Sequence, residues 1–456
     1  MRARPSAESR KARFVDGSIV RHVIMMTMMG AVGLMSMFFV DLADLWFISM
    51  LKRTETTAGI GYGGTMSFIN LSLAMGIAIA AGALVSINIG GKRRARARKY
   101  ATSSLAVVMG AGLVMTIVCL LFPHGVLGLM GASGEALEEG VRYLRIVALG
   151  FPLLAGALMF SFTLRGVGDP IRAMYVTLTV AVVNAALDPL FIFGLNMGIA
   201  GAATATVVAN VVSFLVGWSA MSRRHGMLGR PSRAQVRRDA GGIARIAIPA
   251  VLTQLASPFI VGWFMYAASR HSDEVVAAAT IINRLVPVFF GVVFSLSSAV
   301  GPIIGQNFGA GHAARVRQTY LVGLTFAAIY SLLMAAILFV LRERVPGWFS
   351  ASGETAELVV FFCAWLSWSW VFTSGQFVSQ AAFNNLGHAR LSTVFNWARA
   401  IFGTVIPVEI AMRLWDARGI FIGSAVGSAV IGLLAVITAW AIIGRLAKGG
   451  ENPHAA

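Results

Sequence analysis

Twelve long apolar segments divide the chain, and no other feature of the sequence limits its fold so strongly. Each is longer than the roughly 20 residues that a helix needs to cross a bilayer. They lie near residues 20–50, 58–89, 100–122, 141–164, 173–195, 198–220, 243–268, 276–306, 319–341, 357–381, 392–414 and 419–444. Only 12% of the 456 residues are charged, about half the share of a soluble domain. The sequence therefore predicts an all-α integral membrane protein with twelve transmembrane helices.

The charged residues separate by sign between the two sides of this predicted bundle. Basic residues fill the N-terminal tail, the second connection and the central connection: Arg2, Arg4, Arg10, Lys11, Arg13, Lys92, Arg93, Arg94, Arg96, Arg98, Lys99, Arg223, Arg224, Arg230, Arg233, Arg237 and Arg238. Acidic residues collect on the opposite side: Glu135, Glu138, Glu139, Asp273, Glu274, Glu343, Glu354 and Glu357. Loops rich in Lys and Arg stay on the cytoplasmic side during membrane insertion. We therefore expect a protein of the bacterial inner membrane with both termini in the cytoplasm. The net charge of +18 is then explained by the basic cytoplasmic loops and their attraction to anionic lipid head groups. We expect no nucleic-acid partner.

The two halves of the chain share landmarks at a nearly constant spacing. Three landmarks recur 219 to 221 residues apart: Asn88-Ile89-Gly90-Gly91 with Asn307-Phe308-Gly309-Ala310, Gly168 with Gly387, and Gly198-Ile199 with Gly419-Ile420. Such repeats in transporters pack as two lobes around an axis normal to the membrane. We therefore predict two pseudo-symmetric lobes, with these segments: a cytoplasmic tail (1–18), an N-lobe of six helices (19–221), a cytoplasmic linker (222–241), a C-lobe of six helices (242–445) and a C-terminal tail (446–456).

Four acidic residues fall within the predicted spans, namely Asp41, Asp44, Asp188 and Glu409. An ionised carboxylate at the centre of a spanning helix costs about 3 kcal/mol, so such residues are functional by default. Asn184 and Asp188 are four apart and share one helix face. Pro189 lacks an N–H and weakens the helix at that point. A carboxylate and an amide on a weakened turn suit the binding and release of a proton or a small hard cation.

The other polar residues in the spans have weaker patterns. Asp41 and Asp44 share a face near the outer end of the first span, where a solvated helix end is the alternative explanation. Glu409 stands ten residues before Gly419, as Asp188 stands before Gly198, so we expect the two acids to be equivalent. These spacings make Asp41 and Glu409 secondary candidates for the cation site.

Two arginines and a glutamine complete the set of notable polar residues in the spans. Arg284 and Arg399 lie inside or at the edges of spans, and we expect both to extend to an interface. Gln254 is a secondary candidate that either lines a cavity or bonds across helices. No Gly-x-x-x-x-Gly-Lys-Ser/Thr or Gly-x-Ser-x-Gly pattern occurs, so we expect neither ATP hydrolysis nor other enzymatic activity. We also expect no cofactor.

Several sequence runs together suggest a family. They are Leu164 to Pro170, Asn184 to Gly194, Gly198 to Thr206, Ile246 to Pro249 and Asn307 to Ala310. With these runs the chain resembles the MATE (multidrug and toxic compound extrusion) family, in particular its prokaryotic DinF-like branch. The resemblance implies a MATE/MOP-type fold and a cation site in the N-lobe, built from Asp44, Tyr143, Asn184, Asp188 and Thr206. The chain departs from the family in its first span, where Met28-Met29-Gly30 stands in place of a proline.

The resemblance also implies an activity. It is that of a monomeric antiporter, coupled to H⁺ or Na⁺, which exports amphipathic and often cationic drugs and toxic organic compounds by alternating access. If the ion is Na⁺, we expect it at Asp44, Asn184, Asp188 and Thr206. The alternative is a flippase for lipid-linked oligosaccharides or lipids of the same superfamily. A flippase cavity needs many Arg and Lys residues for pyrophosphate, and only Arg284 and Arg399 are available.

Overall fold

The computed structural model describes residues 12–49 and 54–447, with side chains described except at 37–49, 54–62 and 447. Within these ranges the chain is built from α-helices joined by short turns. The helices are α1 (Ile19–Ser49), α2 (Thr54–Gly90), α3 (Arg94–Leu121), α4 (Pro123–Leu129), α5 (Gly134–Val147), α6 (Phe151–Val167), α7 (Pro170–Pro189), α8 (Ile199–Ser219), α9 (Arg233–Ser269), α10 (Asp273–Gly309), α11 (Ala313–Leu341), α12 (Val345–Trp348), α13 (Gly353–Phe361), α14 (Trp370–Asn385), α15 (Ala389–Ala400) and α16 (Ile406–Ala447).

Eleven helical segments of the described residues are long and apolar enough to cross a membrane. The last of them, Ala389–Leu446, has 58 residues. At 1.5 Å per residue a straight helix of that length would measure about 87 Å, far more than one bilayer. The backbone leaves helical geometry at Trp415 and Asp416, so this segment is two spans joined by a sharp turn. The prediction of a twelve-helix membrane protein is thereby confirmed.

Broken helices recur at matching places in the two halves. A 3₁₀ turn at Ala148–Gly150 separates α5 from α6. A second 3₁₀ turn at Ser367–Ser369 precedes α14, 219 residues later. Gly168 and Gly387, also 219 apart, both adopt left-handed backbone angles after their helices, with φ of 97° and 85°. Local backbone geometry therefore repeats along with the sequence landmarks.

The predicted pairing of Gly198 with Gly419 is wrong by one helical turn. Gly198 has φ 55° and ψ −129°, and the residue with the same geometry is Asp416, with φ 51° and ψ −135°. Gly201 and Gly419 are also 218 apart, and an added Cβ at either would strike backbone atoms of the preceding helix. At a spacing of 218 to 219, the counterpart of Asp188 is Ile406 or Pro407. Glu409 is therefore not the equivalent of Asp188, and the second half has no acid at that position.

The described residues form two compact units, one within Met1–Arg13 and Val32–Val251 and the other within Phe14–Ala31 and Leu252–Ala456. The start of α1 thus belongs with the second half of the sequence, whereas the predicted N-lobe contained all of it. In the second unit Val23 and Met26 are fully or almost fully buried, and the Ser295 hydroxyl donates to the Thr27 carbonyl at 3.0 Å. Burial of these apolar side chains holds the first part of α1 in the second unit.

The landmark Asn307 has a structural role in the second unit. Phe14, just before α1, is completely buried there. Its backbone N–H donates to Gln306 Oε1 at 3.0 Å, and its carbonyl accepts from Asn307 Nδ2 at 3.1 Å. Arg315 donates to both the Phe14 carbonyl and Asn307 Oδ1, at 3.1 Å and 3.0 Å. The conspicuous Asn-Phe-Gly-Ala run therefore anchors the segment that leads into the first span.

Candidate cation site

The end of α7 carries the strongest of the predicted site residues. Asp188 is 1% exposed and Asn184 is 5% exposed, although the middle of this helix has many exposed residues. Their spacing of four places both side chains on the same face of the helix. A carboxylate and an amide oxygen are hard oxygen ligands, which suit Na⁺-like cations, and the carboxylate also accepts a proton.

The helix changes geometry directly after Asp188. Pro189 ends α7, and residues Leu190–Gly194 form a π-helical turn. This turn is closed by hydrogen bonds from the Leu195 N–H to the Leu190 carbonyl at 2.9 Å and from the Met197 N–H to the Phe191 carbonyl at 3.1 Å. Proline removes one helical donor, and π-turns occur frequently at functional positions. The acid therefore lies where the regular helical bonding ends.

Helix α8 packs closely against this turn because of two glycines. Gly198, at φ 55°, reverses the chain before α8. A Cβ on Gly201 would lie 2.7 Å from the carbonyl carbon and oxygen of Phe191, so only glycine permits this approach. Thr206 lies further along α8, half-buried, and its hydroxyl donates to the Ala202 carbonyl at 3.1 Å. Because that bond uses its hydrogen, the oxygen of Thr206 remains able to bind a cation.

Tyr143 comes from α5 and is half-buried. Its ring fits against Gly63 of α2, where an added Cβ would lie 2.5 Å from the ring. Helix α8 packs on both α5 and α7. The helices that carry Tyr143, Asn184, Asp188 and Thr206 therefore belong to one bundle within the first unit.

Gly63 and Gly201 were not singled out from the sequence. Each stands within an apolar helix, where a glycine is itself a signal of close packing. The Cβ distances show that the Tyr143 ring lies against Gly63 and the Phe191 backbone against Gly201. Both glycines therefore belong to the shell that positions the candidate ligands.

Two of the predicted acids cannot be placed beside these residues. Asp41 and Asp44 lie on α1 within 37–49, outside the described side chains, so their part in the site stays a prediction. Glu409 accepts from Arg270 at 2.6 Å, and the two side chains are 31% and 43% exposed. Gln254 lies half-buried on α9. Glu409 therefore has a local basic partner in the second unit and is not part of the bundle that holds Asp188.

Asp169 fixes the other end of α7. Its carboxylate accepts from the backbone N–H of Arg172 at 3.2 Å and lies 2.8 Å from Nε2 of His225, which follows α8. Burial raises the pKa of Asp169, but the hydrogen bonds from His225 and Arg172 and the charge of Arg172 outweigh burial and lower it to about 2. The ionised group caps the helix and ties it to the chain after α8.

A cavity of about 330 Å³ lies inside the second unit, between α9, α10, α14, α15 and α16. Six aromatic side chains contribute to its lining: Phe264, Phe294, Phe362, Trp370, Phe377 and Phe421. Arg399 also lines it, and its Nε is buried. The prediction that Arg399 extends to an interface is wrong, because its side chain lines this cavity. Arg284, by contrast, is exposed.

Comparison with known proteins identifies the family. A MatE family profile matches residues 30–190 and 249–408, one stretch in each half. The FAD transporter of Shewanella oneidensis is 26% identical over 429 residues, 92% of this chain and 94% of that protein. The multidrug export protein MepA of Staphylococcus haemolyticus is 23% identical over 446 residues, 95% and 96% of the two chains.

The fold comparison agrees. An outward-facing multidrug resistance MATE family transporter of the MOP superfamily aligns with a TM-score of 0.89 at 22% identity, covering 98% of this chain and 100% of that one. A MATE protein in a straight conformation aligns with a TM-score of 0.88, also at 22% identity, with the same coverage. Since the family profile matches most of the chain and both of its repeats, this protein belongs to the MATE family of membrane transporters.

Proposed function

We propose that this chain is an antiporter of the bacterial plasma membrane, in which entry of H⁺ or Na⁺ drives export of amphipathic organic compounds. The coupling ion binds at Asp188 and Asn184, with Thr206, Tyr143 and Asp44 completing the site. One observation carries the proposal. Asp188 is 1% exposed inside a bundle of apolar helices, next to a π-helical turn that disrupts regular backbone bonding.

Burial of this acid has a physical cost that depends on whether the carboxyl group is ionised. Moving a carboxylate out of water costs several kcal/mol unless a proton or a cation neutralises it. Binding of either ion removes that cost, so the preferred conformation of α7 differs between the occupied and empty states. Alternating access requires this kind of difference in affinity between two states.

The membrane potential supplies the driving force. One positive charge entering across 100 mV releases about 2.3 kcal/mol. Converted at about 1.4 kcal/mol per tenfold change, this sustains an approximately fifty-fold gradient of an exported neutral compound. We therefore expect accumulation ratios of that order from exchange of one ion for one substrate molecule.

Transport into liposomes tests the proposal. Purified protein is reconstituted, and uptake of a fluorescent amphipathic compound is followed after an imposed Na⁺ gradient or pH gradient. We expect gradient-driven uptake in the wild type and in Glu409→Gln, and no gradient dependence in Asp188→Asn. Equal gradient-driven uptake by wild type and Asp188→Asn would contradict the proposal. Comparing the two gradients identifies the ion.

The names of the relatives bear on the substrate. One is named for FAD transport and another for multidrug export, so organic compounds are the substrate class that we propose for this chain. FAD itself is anionic, whereas the family resemblance implies substrates that are often cationic. The flippase alternative receives no support from the described cavity, because Arg399 is the one basic side chain among its lining residues. A pyrophosphate-linked lipid would need several more.

A further inference from the structure

The aromatic cavity of the second unit has the dimensions of a ligand site. Its volume of about 330 Å³ lies within the range of small-molecule pockets. Besides the aromatic rings, a few polar side chains line the cavity, including those of Asn283 and Thr373. Trp370 stacks on Phe290 with ring centroids 4.8 Å apart, so this wall of the cavity is held in place from behind. An apolar pocket with few convergent polar groups is the usual architecture of an organic-ligand site.

Arg399 is the one charged side chain among the described residues that line this cavity. It lies in the last turn of α15, directly before a π-helical turn at Ile401–Val405. Its guanidinium carbon is 5.9 Å from the ring centroid of Phe377. Its Nε is buried and has no hydrogen-bond partner among the described residues. A stacked ring is a weak partner for a partly buried guanidinium, so this contact offsets only a small part of the cost of burying it.

No acid is among the described residues that line the cavity, and two acids of α16 are paired elsewhere. Glu409 of α16 pairs with Arg270 at 2.6 Å. Asp416, at the break within α16, pairs with His271 at 3.0 Å. Neither Glu409 nor Asp416 lines the cavity. Over the part of the chain that the structure describes, the cavity therefore carries an uncompensated positive charge.

We propose that this cavity binds an organic anion with an aromatic ring, whose carboxylate, sulfonate or phosphate group pairs with Arg399. The guanidinium presents a planar set of donors that matches such groups with two parallel hydrogen bonds. The ring of the ligand packs among Trp370, Phe377 and their neighbours. A cationic ring compound would place a like charge beside Arg399 and bind more weakly. The inference rests on the proposed function in one respect, because it takes this cavity as the place where the exported compound binds.

Binding of two ions that differ only in the sign of their charge tests this. The purified full chain, in non-ionic detergent micelles, is titrated calorimetrically with 2-naphthalenesulfonate and with 2-naphthylmethylammonium. We expect the sulfonate to bind at least about tenfold more tightly, which corresponds to about 1.4 kcal/mol. Arg399→Gln should bring the two affinities within about twofold, and Arg399→Lys should keep part of the preference. Arg284→Gln, which removes an exposed arginine of α10, should leave the tenfold preference unchanged.

Two results would overturn the inference. One is an ammonium compound that binds the wild type as tightly as the sulfonate does, a comparison that does not depend on any variant folding. The other is a full tenfold preference in a folded Arg399→Gln protein. These titrations use no ion gradient. If the wild type prefers the sulfonate but shows no gradient-driven uptake, the proposed coupling is wrong and the anion site stands. If it shows gradient-driven uptake but no charge preference, the anion site is wrong and the proposed coupling stands.

Discussion

Substitution of Gly201 by alanine tests whether the packing of α8 against the π-helical turn supports the cation site. The new Cβ would lie 2.7 Å from the carbonyl carbon and oxygen of Phe191 and 2.9 Å from the nitrogen of Ile192. Ordinary contacts begin at 3.4 Å, so the two backbones must separate by about half an ångström or more. Overpacking of this kind costs about 1–3 kcal/mol. Alanine also lowers the entropy of the unfolded chain, which returns about 0.4–1 kcal/mol.

The net loss of stability should thus be about 1–2 kcal/mol, measured as a lower midpoint of thermal unfolding in detergent. Phe191 is three residues after Asp188, so the displacement reaches the acid. Binding sites lose function when their groups move by more than about 0.5 Å. We therefore expect the cation concentration for half-maximal transport to rise about threefold or more, in the liposome assay with a varied Na⁺ or H⁺ gradient.

Gly419 provides a matched control in the second half of the chain. An added Cβ there would lie 2.1 Å from the carbonyl oxygen of Ala411, a closer clash than at Gly201. Gly419→Ala should therefore destabilise the protein at least as much without changing the cation dependence, because no acid occupies the equivalent of Asp188. Gly262→Ala, where an added Cβ meets nothing within 4 Å, sets the baseline. An altered cation dependence in Gly419→Ala but not in Gly201→Ala would refute the reasoning.

Three further predictions concern residues around the sites. Asp169→Asn should cost about 2 kcal/mol at pH 7, since the pKa falls from 3.8 to about 2 on folding. A lowered pKa stabilises the folded state above the unfolded value, so the difference from wild type should persist above about pH 5 and shrink as the pH falls from 4 toward 2, measured by unfolding at each pH. Asn307→Ala should release the segment at Phe14, with hydrogen exchange there at least about fivefold faster, because it loses a buried hydrogen bond worth about 1 kcal/mol; unchanged exchange would contradict this. Glu409→Gln should cost less than about 1 kcal/mol and leave the cation dependence unchanged, since its partner Arg270 is partly exposed; a shifted cation dependence would show that Glu409 takes part in coupling.

The sequence was informative wherever function depends on one helix or on a repeated backbone feature. The spacing of Asn184 and Asp188 places both on one helix face, and Pro189 marks the break that follows them. Gly168 and Gly387 could be matched because both positions require a left-handed backbone that glycine adopts readily. The twelve spans followed from the length and polarity of the apolar segments. The family resemblance extended the site to helices far apart in sequence.

The prediction from the sequence was wrong where residues of different types adopt the same backbone angles in the two halves of the chain. Asp416 adopts the angles of Gly198, so a search for paired glycines selected Gly419 and made Glu409 the counterpart of Asp188. The environment of Arg399 was also beyond the sequence, because the cavity is lined from five helices whose residues run from Ser257 to Ser428. An arginine near the edge of a span usually extends to an interface, and only packing shows that this one does not.

Direct measurement of cation binding tests the central claim, that Asp188 in the first unit couples ion entry to export. Purified protein in detergent is titrated with Na⁺ in a calorimeter, and proton release or uptake is followed in parallel with a pH indicator. We predict one saturable cation or proton equilibrium in the wild type, retained in Glu409→Gln and absent from Asp188→Asn. The same equilibrium in folded Asp188→Asn protein would contradict the account.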